Sequence, residues 1–187
     1  MSSKEKQLHL RTEGNPAPGR LVVVHGFLNT WSDELGIEDF YSPQSTENWL
    51  REIGLWTGKT RVSKTQHSRL VEFREKLRHW MINKGEFREL NAMVSDISFR
   101  VAIDPSGRFE FRATGDPCDL IIGGLLGVIA ESASDGTWNR LKCCDLATCG
   151  WAFYDSTRSR TKRWCSMRTC GSRHKAREYY KRNRSQR

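Results

Sequence analysis

The sequence predicts an α+β protein in two parts: a mostly helical N-terminal domain carrying one β-hairpin, and a small C-terminal domain built around four cysteines. Three observations carry this reading. Apolar residues recur at three- and four-residue spacing over 63–83, the signature of an amphipathic helix. The period then switches to two over 99–111, the signature of paired strands. Finally, Cys144 and Cys149 are followed by Cys165 and Cys170, with four residues inside each pair and fifteen between the pairs.

Taken in order, residues 1–18 read as a flexible arm that runs into Asn15-Pro16-Ala17-Pro18-Gly19. The apolar, β-branched stretch 20–30 is a short strand or the start of a buried helix, which periodicity does not separate. Residues 31–43 are acidic and aromatic and read as loop with some helix. Residues 45–54 form a helix with a hydroxyl cap and Gly54 as its stop. The long helix 63–83 turns Leu70, Phe73, Leu77, Trp80 and Met81 inward, and Gly85 ends it. A second helix covers 87–97, with Leu90, Met93, Val94 and Ile97 inward. Phe99, Val101 and Ile103 then alternate, Asp104-Pro105-Ser106-Gly107 supplies the turn, and Phe109 and Phe111 return as a hairpin. Pro117 opens an apolar helix that reaches Ser134 before Asp135-Gly136 breaks it. Its apolar core, 120–130, is too short for a bilayer, which needs about 20 residues. Gly123, Gly124 and Gly127 suggest either a ligand-facing surface or close helix packing. The packing reading is preferred, because each glycine costs a helix about 1 kcal/mol relative to alanine and something tertiary must compensate. The parts are therefore an arm over 1–18, an N-terminal domain over 19–139 and a C-terminal domain over 140–187.

Mean hydropathy is −0.67, and the polar start of the chain carries no secretory signal. We expect a cytoplasmic location and no membrane partner. In a reducing compartment, six cysteines point to metal binding, not disulfides. Charge is unevenly spread. Residues 140–187 hold 14 Lys or Arg against 3 Asp or Glu, a balance of +11, whereas the remainder stands at −2. This asymmetry points to a polyanion partner for the C-terminal part, with a solubilising basic tail as the plainer alternative.

Two short thiolate pairs brought together by an intervening hairpin complete a tetrahedral four-sulfur Zn²⁺ site. The expected plan is a first knuckle at Cys144 and Cys149, a strand over 151–154, a polar turn over 155–159 and a return strand over 161–164. The second knuckle, Cys165 and Cys170, leads into a helix over 171–183. Knuckle, hairpin and knuckle-to-helix together make a treble-clef-like zinc finger. Cys143 competes with Cys144 as ligand; Cys144 is preferred because it gives both pairs equal spacing. Cys118 reads as a small apolar residue, and His174 as a solvent or phosphate contact. A shell of four thiolates leaves no open position for water or substrate, so one structural zinc ion is expected. Arg158, Arg160, Lys162 and Arg163 on the hairpin and Arg168 in the second knuckle form one cationic group. Arg173, Lys175, Arg177, Lys181, Arg182 and Arg184 on the final helix form another. Together they are the candidate nucleic-acid contacts. Ala176 and Tyr180 (or Tyr179) are expected to pack back on the finger, and Asp155 to cap the turn or pair with an arginine.

The runs Trp151-Ala152-Phe153-Tyr154-Asp155, Arg163-Trp164-Cys165-Ser166-Met167 and Cys170-Gly171-Ser172-Arg173 resemble the CGNR zinc finger. Its zinc ligands carry over to Cys144, Cys149, Cys165 and Cys170. Upstream, Phe27-Leu28-Asn29-Thr30, Asn48-Trp49-Leu50 and Leu90-Asn91 are similar to the ABATE domain, which accompanies this finger in bacterial stress-induced transcription regulators. Ser172 stands where the family has asparagine; it reaches less far and lacks an amide donor. The resemblance implies DNA binding by the finger and ligand sensing by the N-terminal domain. Because one small finger usually gives modest affinity, a homodimer is compatible with this reading. An RNA-associated zinc protein is the alternative. An enzyme would need a nucleophile and base, and the sequence offers only isolated His25, His67, His79 and Cys118.

Overall fold

The computed structural model describes residue 12 and residues 15–83, 87–107, 109–146 and 148–184. The arm expected over 1–18 lies mostly outside them. Its last residues are packed: Ala17 is buried and Asn15 Nδ2 donates to the Tyr154 carbonyl at 2.5 Å.

The ambiguous stretch after it is a helix, α1 (Leu21–Leu28), buried along most of its length. Two two-residue strands follow, β1 (Trp31–Ser32) and β2 (Ile37–Glu38), where loop with some helix was expected. Helix α2 (Pro43–Glu52) starts earlier than its sequence signal, because Ser42 caps it. The Ser42 and Ser45 side chains exchange a capping box, and Pro43 occupies the first turn. Helix α3 (Lys64–Asn83) buries Leu70, Phe73 and Leu77, with Trp80 and Met81 half-buried beside them. Helix α4 (Phe87–Val94) is shorter than expected; Ile97 is buried just past its end, while the side chains of Leu90 and Met93 lie outside the described residues.

The hairpin β3 (Ser98–Ile103) and β4 (Phe109–Thr114) forms in the register that the alternation requires, Val101 opposite Phe111. Its apolar face is not core. Phe99, Val101, Ile103, Phe109 and Phe111 are 42%, 61%, 63%, 75% and 74% exposed. Among the described elements, the hairpin packs chiefly through its base, on α5 (Pro117–Ser134), which is capped by Asp116 in a capping box with Asp119. There, a Cβ on Gly123 would lie 2.3 Å from the Ala113 Cβ, so this glycine is needed for close approach of helix to strand. Gly124 and Gly127 face open space. By length and composition α5 could span a membrane, but Cys118, Ile121, Ile122, Leu125 and Val128 bury it against the rest of the fold.

After a 3₁₀ turn (Trp138–Arg140), strands β5 (Leu141–Cys143) and β6 (Ala152–Tyr154) pair antiparallel, and α6 (Ser172–Arg184) closes the chain. The β5–β6 hairpin is bolted to α1. Asn29, at the end of α1, acts as a missing strand: its Nδ2 donates to the Ala152 carbonyl (2.9 Å) and its Oδ1 accepts from the Ala152 N–H (2.8 Å). His25 Nε2 lies 3.0 Å from the same carbonyl, and its Nδ1 accepts from the Ala17 N–H. Burial holds this imidazole neutral, with its pKa pulled down to about 4.

Two buried arginines of α3 tie the remaining segments together. Arg74 grips Glu38 with two parallel bonds of 2.9 Å, donates to Thr30 Oγ1 and lies over the Phe40 ring. Arg78, one turn on, donates to the Leu28 carbonyl at the C-terminus of α1 and covers the Trp31 ring.

Replacing Asn29 with alanine leaves the Ala152 N–H without its buried acceptor and costs the carbonyl one of its donors. We expect Asn29→Ala to lose about 2–4 kcal/mol in denaturant unfolding. An unchanged midpoint would show that the junction does not hold the fold.

Candidate metal centre

The first cysteine pair sits in the turn of the β5–β6 hairpin, and the period-two geometry of the strands sorts the residues around it. Leu141, Cys143, Ala152 and Tyr154 join the large core. Cys144, Trp151 and Phe153 face the other way, into a second cluster with Leu146, Cys149 and Cys170. This separates Cys143 from Cys144. Cys143 points into the N-terminal core, where burial pushes its thiol up to about 12. Cys144 faces the other cysteines.

The Sγ atoms of Cys144, Cys149, Cys165 and Cys170 all lie within 4.8 Å of one another. Cys149 and Cys165 are 3.7 Å apart, and Cys165 and Cys170 3.6 Å. Four sulfurs at a Zn–S bond length of about 2.3 Å stand about 3.8 Å apart at tetrahedral corners, so the donor set fits one Zn²⁺. Backbone N–H groups of Leu146 and Cys165 are aimed at Cys144 Sγ, and that of Trp151 at Cys149 Sγ. Four thiols this close cannot all ionise unaided. Hydrogen bonds from Cys149 and Cys165 draw Cys144 down to about 2, and the shared bond to Cys144 pushes Cys149 up to about 12. Cys165 is pushed up by both neighbours. A dication resolves the conflict by taking all four as thiolates.

Residues 140–183 match the family model of the CGNR zinc finger. No curated protein matches the chain.

Two features of this finger differ from the sequence expectation. The strand expected over 161–164 does not form, and β6 pairs with β5 instead. The cause is Asp155, a fully buried carboxylate that organises residues 155–163 as a closed loop. Its Oδ1 accepts from the Thr157 N–H and hydroxyl, and its Oδ2 from the Lys162 N–H and Lys142 Nζ. Burial raises its pKa, but these bonds outweigh burial and hold it at about 2. Asp155 thus caps the turn as expected, paired with a lysine. The second difference is α6. None of its residues is buried; Ala176 is exposed, and Tyr179 and Tyr180 are 56% and 71% exposed, in edge contact with each other. The helix is anchored at its start, through the π-helical turn Met167–Gly171 and the contact of Trp164 with His174.

The cationic candidates fall into two segments flanking the cysteines. In the loop, Arg158 and Arg160 are exposed, Lys162 lies over the Phe153 ring, and Arg163 pairs with Asp145 at 2.7 Å. Arg168, Lys175, Arg177, Arg182 and Arg184 are exposed, and Lys181 pairs with Glu178. Arg173 is held by Glu34 of the β1–β2 loop. Ser172 is exposed and its hydroxyl donates to the Met167 carbonyl. Sequence reasoning missed Lys142, Glu34 and Arg78. The guanidinium of Arg78 backs the first knuckle so closely that a Cβ on Gly150 would lie 2.8 Å from its Nη2, and Gly150 adopts φ +59°. Of the isolated candidates for catalysis, His25 lies at the junction, His67 against Thr46, His79 against Asn83, and Cys118 near the Gln66 carbonyl.

Metal analysis of the purified chain should find one zinc per molecule. Cys143→Ala should keep that stoichiometry, while Cys144→Ala and Cys165→Ser should lose it. Zinc loss in Cys143→Ala alone would reverse the assignment.

Proposed function

We propose that the chain is a zinc-dependent DNA-binding transcription regulator of the cytoplasm. The observation that carries this reading is the pairing of a closed four-cysteine centre with two solvent-facing cationic segments. A structural metal fixes the fold of a small basic unit, and Arg158, Arg177, Arg182 and Arg184 keep their guanidinium groups turned to solvent. Arginine donates in a fork to phosphate and to guanine edges, which suits duplex DNA. A closed sulfur shell supports a structural, non-enzymatic role for the metal. Six free thiols suit a reducing compartment.

The ABATE reading of residues 19–139 and its ligand-sensing role rest on resemblance. They gain support from where the resembling segment lies. Phe27, Leu28, Asn29 and Thr30 are all buried, and Asn29 is the residue that binds Ala152 of the finger. A change in the N-terminal domain would therefore reach the finger through one strand.

The exposed hairpin face supports a homodimer. The five side chains named above leave about 500 Å² of apolar surface on each copy, on the scale of 150–250 Å² per aromatic ring. Two such faces together bury about 1,000 Å², the lower bound of a specific interface. The near-neutral balance of residues 1–139 lets two copies approach there, whereas the fingers repel.

Binding to duplex DNA and to structured RNA across a salt series tests the function. Arg177→Ala should weaken DNA binding several-fold and flatten the salt slope by about one unit per lost phosphate contact, with zinc content unchanged. Stronger binding to RNA than to duplex DNA would favour the RNA reading. Unaltered affinity in both Arg177→Ala and Arg182→Ala would remove α6 from the interface. In sedimentation at micromolar concentration the chain should run as a dimer and Val101→Asp as a monomer. A monomeric wild type would overturn the hairpin interface.

A further inference from the structure

A cavity of about 620 Å³ opens where α3 and the Trp138–Arg140 turn meet β5 and the 160–163 loop of the finger. One wall is aromatic. Trp80 and Trp138 stack with ring centroids 6.4 Å apart and planes 11° from parallel, and Met81 and Leu141 extend the apolar surface. The facing wall is cationic, with Lys142, Arg160, Lys162 and Arg163 against one carboxylate, Asp145, which Arg163 already occupies. Lys142 is committed too, its Nζ shared among Asp155 and the carbonyls of Arg160 and Lys162.

Arg160 is different. Its side chain has no partner among the described residues, and its backbone sits at φ +54°, the only non-glycine residue there with positive φ. An L-residue in that region is strained, and such strain persists only where surrounding bonds impose it. Here they do: the Arg160 N–H donates to the Thr157 carbonyl, and the Arg160 carbonyl accepts from Lys142 Nζ at 2.6 Å. The fold thus commits Lys142, paired with the buried Asp155, to holding one uncommitted guanidinium at the mouth of an aromatic-walled cavity.

We propose that this cavity binds a planar aromatic anion, its ring against the Trp80–Trp138 wall and its single acid group on Arg160. The volume suits a ligand of that size, and a flat ring with one phosphate or carboxylate satisfies both walls at once. The shared chemistry has two sources, a mononucleotide or an aromatic carboxylic acid. Resting on the DNA-binding reading, a regulatory consequence follows. The ligand takes Arg160 from the cationic loop that would face phosphate, so ligand and DNA oppose each other, by the same factor in each direction.

Calorimetry on the zinc-loaded full chain tests the site without DNA. The two arms are AMP and GMP against indole-3-acetate and benzoate. At least one arm should bind with one site per chain, and the arm that binds names the source. Trp138→Ala should weaken that binding at least tenfold. Arg160→Gly, which relieves the positive φ while removing the cation, should weaken it equally with thermal stability unchanged or raised. No binding by any probe at millimolar concentration, or full binding by both variants, would overturn the site. The DNA arm is separate: if the ligand binds but leaves DNA affinity unchanged, the site stands and the opposition falls. If DNA binding is absent altogether, the DNA-binding reading fails while the calorimetry still decides the cavity.

Discussion

The β5–β6 hairpin is the constraint on which the rest depends. It is short, and it belongs to two cores at once. Because successive residues of a strand face opposite sides, one set of residues completes the N-terminal core and the next set builds the metal centre. A one-residue slip would exchange Cys143 with Cys144 and bury a ligand in hydrocarbon. So short a ladder is weak alone. Its register is held from outside by Asn29, whose amide copies a neighbouring strand at Ala152, and from within by four sulfurs that need one geometry.

Electrostatics follows from the same arrangement. A dianionic zinc–sulfur centre next to an N-terminal domain needs a cation behind it. Arg78 is in position, buried against Gly150, with its guanidinium also stabilising the C-terminal carbonyl of α1. One turn earlier Arg74 neutralises Glu38. Asp155 does the converse on the finger side, a buried anion among cations that bends the loop around itself. These three groups let a strongly basic finger sit against a near-neutral domain while its outward charge stays exposed to solvent.

The legible features were those with a period or a spacing. The long helix, the 98–114 hairpin, the Pro117 start and the four ligands all carry local signals strong enough to read. What escaped was set by tertiary contact. The 20–30 stretch is apolar on every side, so its period says nothing, and burial made it a helix. The alternation of Phe99 to Phe111 located the strands correctly but not their environment, since an exposed apolar face has the same pattern as one turned to a core. The strand expected over 161–164 failed because a single carboxylate outcompeted ladder pairing for the Lys162 amide. Arg74 and Arg78 carry no local signal that separates them from solvated charges of an amphipathic helix, and the approach of β1, β2 and the knuckle makes them buried.

The departure at Ser172 takes on a different weight once the geometry of α6 is known. The hydroxyl closes the preceding turn on the Met167 carbonyl, and the four sulfurs stand together without Ser172. The next residue bears the orienting contact, Arg173 to Glu34 across to the β1–β2 loop. That pair is partly exposed, and solvent-screened pairs of this kind contribute at most about 1 kcal/mol. With no buried residue along its length, α6 is directed by a weak bond at one end and by the metal-bound turn beneath it. The basic helix is thus held in place loosely, by one partly exposed ion pair and the turn that leads into it.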